Sequence, residues 1–140
     1  ANAGVLLTRV IRRQPRPQRD IIVLDAAMND LIRPAMYEAY HDLKPLTDKG
    51  PPTEEVDLVG PVCETGDTFA KARALPRLEA GDLAAFMTAG AYGAVMASTY
   101  NARPLVPEVL VSGDRFALVR ERFSVADQLR LERLPPWDEG

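Results

Sequence analysis

Arg33 and Tyr37 stand four residues apart, so on a helix they share one face, and Tyr40 continues it a turn later. A guanidinium beside a phenol makes a carboxylate cradle: the fork takes two oxygens and the hydroxyl adds a further donor. The plainer reading is a surface arginine near a half-buried tyrosine, and spacing alone favours it. His41 is the single histidine. It follows in a polar helix end, where a cationic imidazole complements the dipole; solvent-exposed capping outweighs catalysis there.

Cys63 is the single cysteine and precedes Glu64 at a strand-to-turn junction. A lone cysteine is most often a small buried hydrophobe, yet this junction is unlike a core position. A nucleophilic thiol needs a nearby cation, and Glu64 favours the protonated form instead. If Cys63 has a role, proton donation suits it better than attack. Ala89-Gly90-Ala91-Tyr92-Gly93 is a small-residue loop with one ring. Its backbone can approach a ligand closely while Tyr92 offers a phenol; a kinked strand is the equal alternative.

The elements that must place these groups are mostly strands. Val5 to Arg13 is β-branched and aliphatic, and Ile21 to Leu24 is a short apolar run. Asp25 to Asp30 reads as a turn. Pro34 to Leu43 reads as a short helix with proline at its first position. Asp42 to Glu55 is a loop, and Val56 to Val62 and Leu83 to Thr88 are further strands. Val109 to Val111 and Phe116 to Phe123 flank a Ser-Gly-Asp-Arg turn and predict a hairpin. Ser124 to Asp127 is a capping box for a helix running to about Leu131. The fold class is mainly β: about six strands in a small barrel or sandwich with two short helices.

Composition sets the outer limits. With 140 residues, 46% of them hydrophobic, the chain makes one domain with a true core. Twelve prolines and nine glycines argue for short elements and against a helical bundle. A net charge of −3 and a pI near 5.2 argue against a nucleic-acid binder. Five arginines and no acids fall in the first nineteen residues, which suits either an anionic partner or, more plainly, a solvated hairpin loop. One cysteine and one histidine exclude a multi-thiolate or histidine-rich metal centre. No apolar run reaches the roughly 20 residues of a membrane span, so a cytoplasmic location is expected. The chain opens on alanine and reads as processed or cut from something longer.

Four ordered segments resemble one family. Asp25-Ala26-Ala27-Met28-Asn29-Asp30-Leu31-Ile32-Arg33-Pro34-Ala35-Met36-Tyr37 is similar to its "DAGMNDLIRPALY". Val59-Gly60-Pro61-Val62-Cys63-Glu64-Thr65-Gly66-Asp67 resembles "VGPICESGD". Ala89 to Gly93 matches "AGAYG", and Tyr100-Asn101-Ala102-Arg103-Pro104 resembles "YNSRP". The family is diaminopimelate decarboxylase, within the pyridoxal-phosphate decarboxylases of the alanine-racemase-like fold. The departures at Ala27, Met36 and Thr65 remove no polar group.

The resemblance implies that residues 1–140 are a carboxy-terminal β-domain. The amino-terminal TIM-type barrel, whose lysine anchors pyridoxal 5'-phosphate, is absent; Lys44, Lys49 and Lys71 match no such lysine motif. It implies that Cys63 is the proton donor and that Arg33 and Tyr37 bind the distal carboxylate of meso-diaminopimelate. Glu64 then meets the distal amino group, and Tyr92 approaches both cofactor and substrate. Cys63 and Glu64 would come from the partner subunit, so the site is shared across a homodimer. A thiol of ordinary pKa, about 8.5, is mostly protonated at neutral pH and can donate. The reaction implied yields L-lysine and CO2.

The alternatives are a related ornithine, arginine or carboxynorspermidine decarboxylase, or an inactive dimerisation fragment. Polyamine-type relatives tend to carry "CDGLD" and lack an arginine like Arg33. The isolated chain is expected to be inactive, and to associate through surface that the missing barrel would cover.

Overall fold

The apolar runs seen in the sequence become strands of one sheet. The computed structural model describes residues 2–137. In chain order it contains β1 (Leu6–Gln14), β2 (Ile21–Leu24), α1 (Arg33–Tyr37), β3 (Leu43–Pro45), β4 (Glu54–Val59), β5 (Thr68–Leu75) and β6 (Leu83–Phe86). β7 (Glu108–Ser112), β8 (Arg115–Arg120) and α2 (Val125–Leu129) follow. The fold is mainly β, as expected. The chain divides into two compact units at Ala97/Ser98.

The first unit holds a six-stranded sheet in the order β3-β6-β1-β2-β4-β5. Its pairings are antiparallel except for β2 with β4. β1 shows the alternation that one buried face requires: Thr8 and Val10 point inward, while Leu7, Arg9 and Ile11 are exposed. The inward residues of β1, β2, β4, β5 and β6 form one core that includes Val10, Ile22, Leu58 and Phe86.

The sheet curls around that core. Phe69 on β5 and Phe86 on β6 stand four strands apart in the sheet order. On a flat sheet they would be about 19 Å apart, at roughly 4.8 Å per strand. Their ring centroids lie 4.5 Å apart instead. The two phenylalanines therefore close the concave side of a half-barrel.

The basic run is largely consumed by the fold. Arg13 is nearly buried, with its side chain 9% exposed. It donates from Nε to Asp20 at 2.7 Å and from Nη1 and Nη2 to the two Glu54 oxygens at 2.6 and 2.7 Å. Arg19 pairs with Asp57 at 3.1 Å, and Arg9 donates to the Gly81 carbonyl at 2.9 Å. Arg9, Arg13 and Arg19 are thus engaged in contacts within the fold, and Arg13 is not part of the solvated loop that the plainer reading expected.

Hydrogen bonding to Arg13 holds the Glu54 and Asp20 carboxyls below the usual carboxylate range. A lowered folded pKa adds stability above the unfolded value, near about 4, and that stability is lost as pH falls through the folded values. Arg13→Ala is expected to lower stability by about 2–4 kcal/mol at neutral pH, because it leaves two carboxylates facing each other. It should also flatten the loss of stability below about pH 4. Urea unfolding at a series of pH values checks both, and an unchanged acid slope would refute the assignment.

Several elements differ from expectation. β3 and β5 were not foreseen. The strand expected to run to Val62 ends at Val59, because Gly60 and Val62 turn their amides to Asp67. The helix expected to reach Leu43 spans only Arg33–Tyr37: Glu38 caps it in the left-handed region, at φ 53°, and donates to the Arg33 carbonyl. Tyr40 therefore leaves the helix face shared by Arg33 and Tyr37. It stacks under the Arg73 guanidinium at 4.2 Å and donates to Asp42 at 3.3 Å.

His41 is not a solvent-exposed cap. It is 4% exposed, with Nδ1 3.0 Å from the Met87 carbonyl. The early end of the helix is the cause, since it carries the chain inward toward β3.

The second unit is a hairpin and a helix. β7 pairs with β8 through a tight turn in which Gly113 takes φ 62°, a conformation natural to glycine. The capping box forms as read. The Asp127 amide donates to Ser124 Oγ at 3.2 Å, and the Ser124 amide donates to Asp127 Oδ2 at 2.8 Å. The helix it opens ends at Leu129, short of Leu131. Among the described residues no helix is long and apolar enough to cross a membrane.

Candidate functional site

The segment from Asp25 to Asp30 is a turn built from polar side chains. Asp25 accepts from Thr8 Oγ1 at 2.8 Å and from the Arg9 amide at 2.8 Å. Thr8 Oγ1 in turn accepts from the Ala26 amide at 3.2 Å. Asp30 accepts from the Ala27 amide at 2.9 Å and from Asn29 Nδ2 at 3.1 Å. Asn29 and Asp30 are buried, so these bonds offset the cost of desolvating them. The turn delivers the chain to Pro34, buried at the start of α1, and so fixes where Arg33 begins. Tyr37 sits one turn later and is 60% exposed.

Tyr92 reaches Arg33 from a distant part of the chain. The Arg33 guanidinium carbon lies 5.4 Å from the centroid of the Tyr92 ring, a cation–π contact worth about 0.5–1 kcal/mol at an open site. Tyr92 itself takes φ 62° and is 59% exposed. Its loop is held by glycines. The Ala89 amide donates to the Gly4 carbonyl at 2.8 Å, and a Cβ on Gly4 would sit 2.8 Å from the Gly90 nitrogen. That spacing admits only glycine, so residues near the start of the chain hold the loop that carries Tyr92.

Cys63 and Glu64 project from the loop between β4 and β5. The thiol is free and exposed, so the core-hydrophobe alternative does not hold. Glu64 is exposed as well, and its Oε1 accepts from the Gly66 amide at 3.2 Å. Asp67 closes this loop. It is 2% exposed and accepts from the Val62 amide at 2.8 Å. It also accepts from the Met28 amide, 39 positions away in sequence, at 2.7 Å.

The structure thus brings Arg33 and Tyr92 into contact and keeps Tyr37 on the same short helix as Arg33. It sets Cys63 and Glu64 on a separate loop, tied through Asp67 to the turn that precedes Arg33. Sequence reasoning passed over Asp67 as an ordinary turn residue. A glycine seven residues before an aspartate, flanking a Pro-containing turn, was the available signal.

The chain has three lysines. Lys49 pairs with Asp82 at 2.7 Å, and Lys44 and Lys71 stand exposed on β3 and β5. Among the described residues no group of three or more histidine, cysteine or acidic side chains could hold a metal ion. The thiol of Cys63, the carboxylate of Glu64 and the phenols of Tyr37 and Tyr92 are all open to a ligand or a partner surface.

A curled sheet domain carrying these polar loops defines a known class. Residues 2–90 match the family described as pyridoxal-dependent decarboxylase, C-terminal sheet domain, and the chain belongs to that family. The similar proteins include diaminopimelate decarboxylases. That of Zymomonas mobilis is 55% identical over 137 residues, which is 98% of this chain and 32% of the relative. The crystal structure of the enzyme from M. jannaschi superposes with a TM-score of 0.92 at 41% identity, covering 98% of this chain and 31% of that one. The Helicobacter pylori enzyme complexed with L-lysine gives 0.85 at 40% identity, covering 94% and 32%. The chain therefore spans about a third of the length of the relatives it matches.

Proposed function

We propose that this chain is the carboxy-terminal domain of a diaminopimelate decarboxylase, which converts meso-2,6-diaminopimelate to L-lysine and CO2. The observation that carries the reading is the Arg33–Tyr92 stack together with the exposed Cys63 and Glu64, on a domain of this family. Pyridoxal 5'-phosphate supplies the electron sink for cleavage of the carbon–carboxylate bond. Every other role falls to side chains.

Arg33 takes both oxygens of the distal carboxylate in its fork, and Tyr37 adds a hydroxyl donor. Glu64 meets the distal ammonium. Tyr92 borders cofactor and substrate, its ring orienting Arg33 from the side. When CO2 leaves, the electron pair remaining at the α-carbon takes a proton, and Cys63 Sγ gives it. The grip on the distal carboxylate separates meso-diaminopimelate from D-lysine and ornithine, which lack that group. Sites built this way discriminate by about 10⁴. Arg33 and the Glu64 that follows Cys63 favour this substrate over the polyamine-type alternatives.

On this reading the amino-terminal two-thirds of the enzyme contributes the TIM-type barrel and the anchoring lysine, and this chain by itself is inactive. Cys63 and Glu64 serve the site of the partner subunit in a homodimer. A thiol that must stay reduced fits a cytoplasmic setting.

Subunit mixing tests the assignment in a full-length enzyme carrying this domain. A Cys63→Ala variant and a variant lacking the anchoring lysine are each inactive. Mixed and allowed to exchange, half of the dimers are hybrids with one working site, so about a quarter of normal activity returns. If tagged subunits show exchange and no activity returns, Cys63 does not act across the interface.

A further inference from the structure

We propose that Asp67 is the positioning residue for Cys63 and Glu64, and that its carboxylate couples their loop to the turn that sets Arg33. The proposal rests on the reading of Cys63 as proton donor. A carboxylate that is 2% exposed is costly to bury unless its oxygens are satisfied. Here one oxygen accepts from Val62 within the loop at 2.8 Å, and the other accepts from Met28 outside it at 2.7 Å.

The backbone of the same loop is closed around Asp67. Its amide donates to the Glu64 carbonyl at 3.0 Å, and its carbonyl accepts from Gly60 at 3.0 Å. Gly60 lies so close to the carboxylate that a Cβ there would overlap both oxygens. A turn that merely needed closing would require the Val62 bond alone. The Met28 bond crosses to the segment leading into Arg33, and it locates the thiol with respect to that segment. With Cys63 and Glu64 serving the partner's site, and Arg33, Tyr37 and Tyr92 their own, Asp67 joins the contributions that one chain makes to two sites.

The test uses the full-length enzyme and three readouts: kcat against KM, the thermal midpoint, and the rate at which iodoacetamide modifies Cys63, followed by mass spectrometry of its peptide. Asp67→Asn keeps the shape and one acceptor oxygen and loses the other. It is expected to lower kcat about tenfold or more, as misplacement of a proton donor does, with a smaller rise in KM from the displaced Glu64. It should also change the Cys63 modification rate at least threefold. Asp67→Ala, which removes both acceptors, should move the same readouts further, and the Asn variant keeps the proposal open to refutation if the Ala variant does not fold.

A lowered thermal midpoint with wild-type kcat and wild-type Cys63 modification would overturn the proposal and leave Asp67 purely structural. If Cys63→Ala retains activity, the proton-donor reading fails. The modification rate then still decides whether Asp67 places the thiol.

Discussion

Cys63→Ala in a full-length enzyme carrying this domain is expected to lower kcat for lysine formation by about 10²–10⁴, the range over which a positioned general acid contributes. KM should change little, because a proton donor of the kind proposed for Cys63 acts only after CO2 has left. The structure makes this a clean test. Cys63 is exposed on a loop whose closure is made by Asp67 and Gly60, so removing the sulfur creates no core cavity and should shift the thermal midpoint by less than about 2 °C. Cys63→Ser keeps a donor of much weaker acidity and should fall between wild type and alanine. Reaction in deuterated water adds a second readout. A proton delivered by one group reaches one face of the carbon, so wild type should place deuterium with a single configuration, and the alanine variant should lose that preference. Wild-type turnover in the alanine variant would end the case for Cys63.

Much of the fold could be read from the sequence where local chemistry agrees with the global arrangement. The run Ile21 to Leu24, the glycine turn between β7 and β8 and the Ser124 capping box are local signals, and each became the element it suggested. β3 was hidden because it is three residues long and ends in Pro45. β5 was hidden because Lys71 and Arg73 break the apolar alternation. Ala72 there takes φ 49° and gives its amide to Asp57 at 2.8 Å, a bulge that no propensity announces. The helix was overextended because Glu38 adopts a left-handed conformation uncommon for its type. His41 was placed in solvent for the same reason.

The site divides along the same line. The four-residue spacing of Arg33 and Tyr37 is a local fact and held. The stack of Arg33 on Tyr92 and the bond from Met28 to Asp67 join residues far apart in sequence. The Gly4–Gly90 approach holds the loop that carries Tyr92, and the pairing of β2 with β4 and β4 with β5 sets Met28 beside Asp67. Residue types suggested a carboxylate cradle at Arg33 and Tyr37 and proton donation by Cys63, while the substrate and the role of Glu64 came from resemblance.

Arg33→Met is expected to lower kcat/KM for meso-diaminopimelate by about 10³ in the full-length enzyme, the loss that follows when a charged, desolvated hydrogen-bond pair is left with one partner. The distal carboxylate of the substrate would face an apolar stem and Tyr37 alone. Methionine matches the length of the arginine stem, so packing near Pro34 and the start of α1 is kept and stability should move by less than about 1 kcal/mol. The loss should be selective. D-Lysine keeps the configuration of the reacting carbon and has no distal carboxylate, so its poor turnover should change less than tenfold, and the ratio of the two substrates should collapse toward unity. Arg33→Lys keeps the charge and loses the fork, and should recover only part of the loss. The Tyr92 contact supplies the control. The cation–π pair is worth about 0.5–1 kcal/mol, so a variant that broke only this stack would cost five-fold or less. A loss of that size for Arg33→Met, equal for both substrates, would mean that Arg33 only steadies Tyr92 and does not hold the substrate's far end.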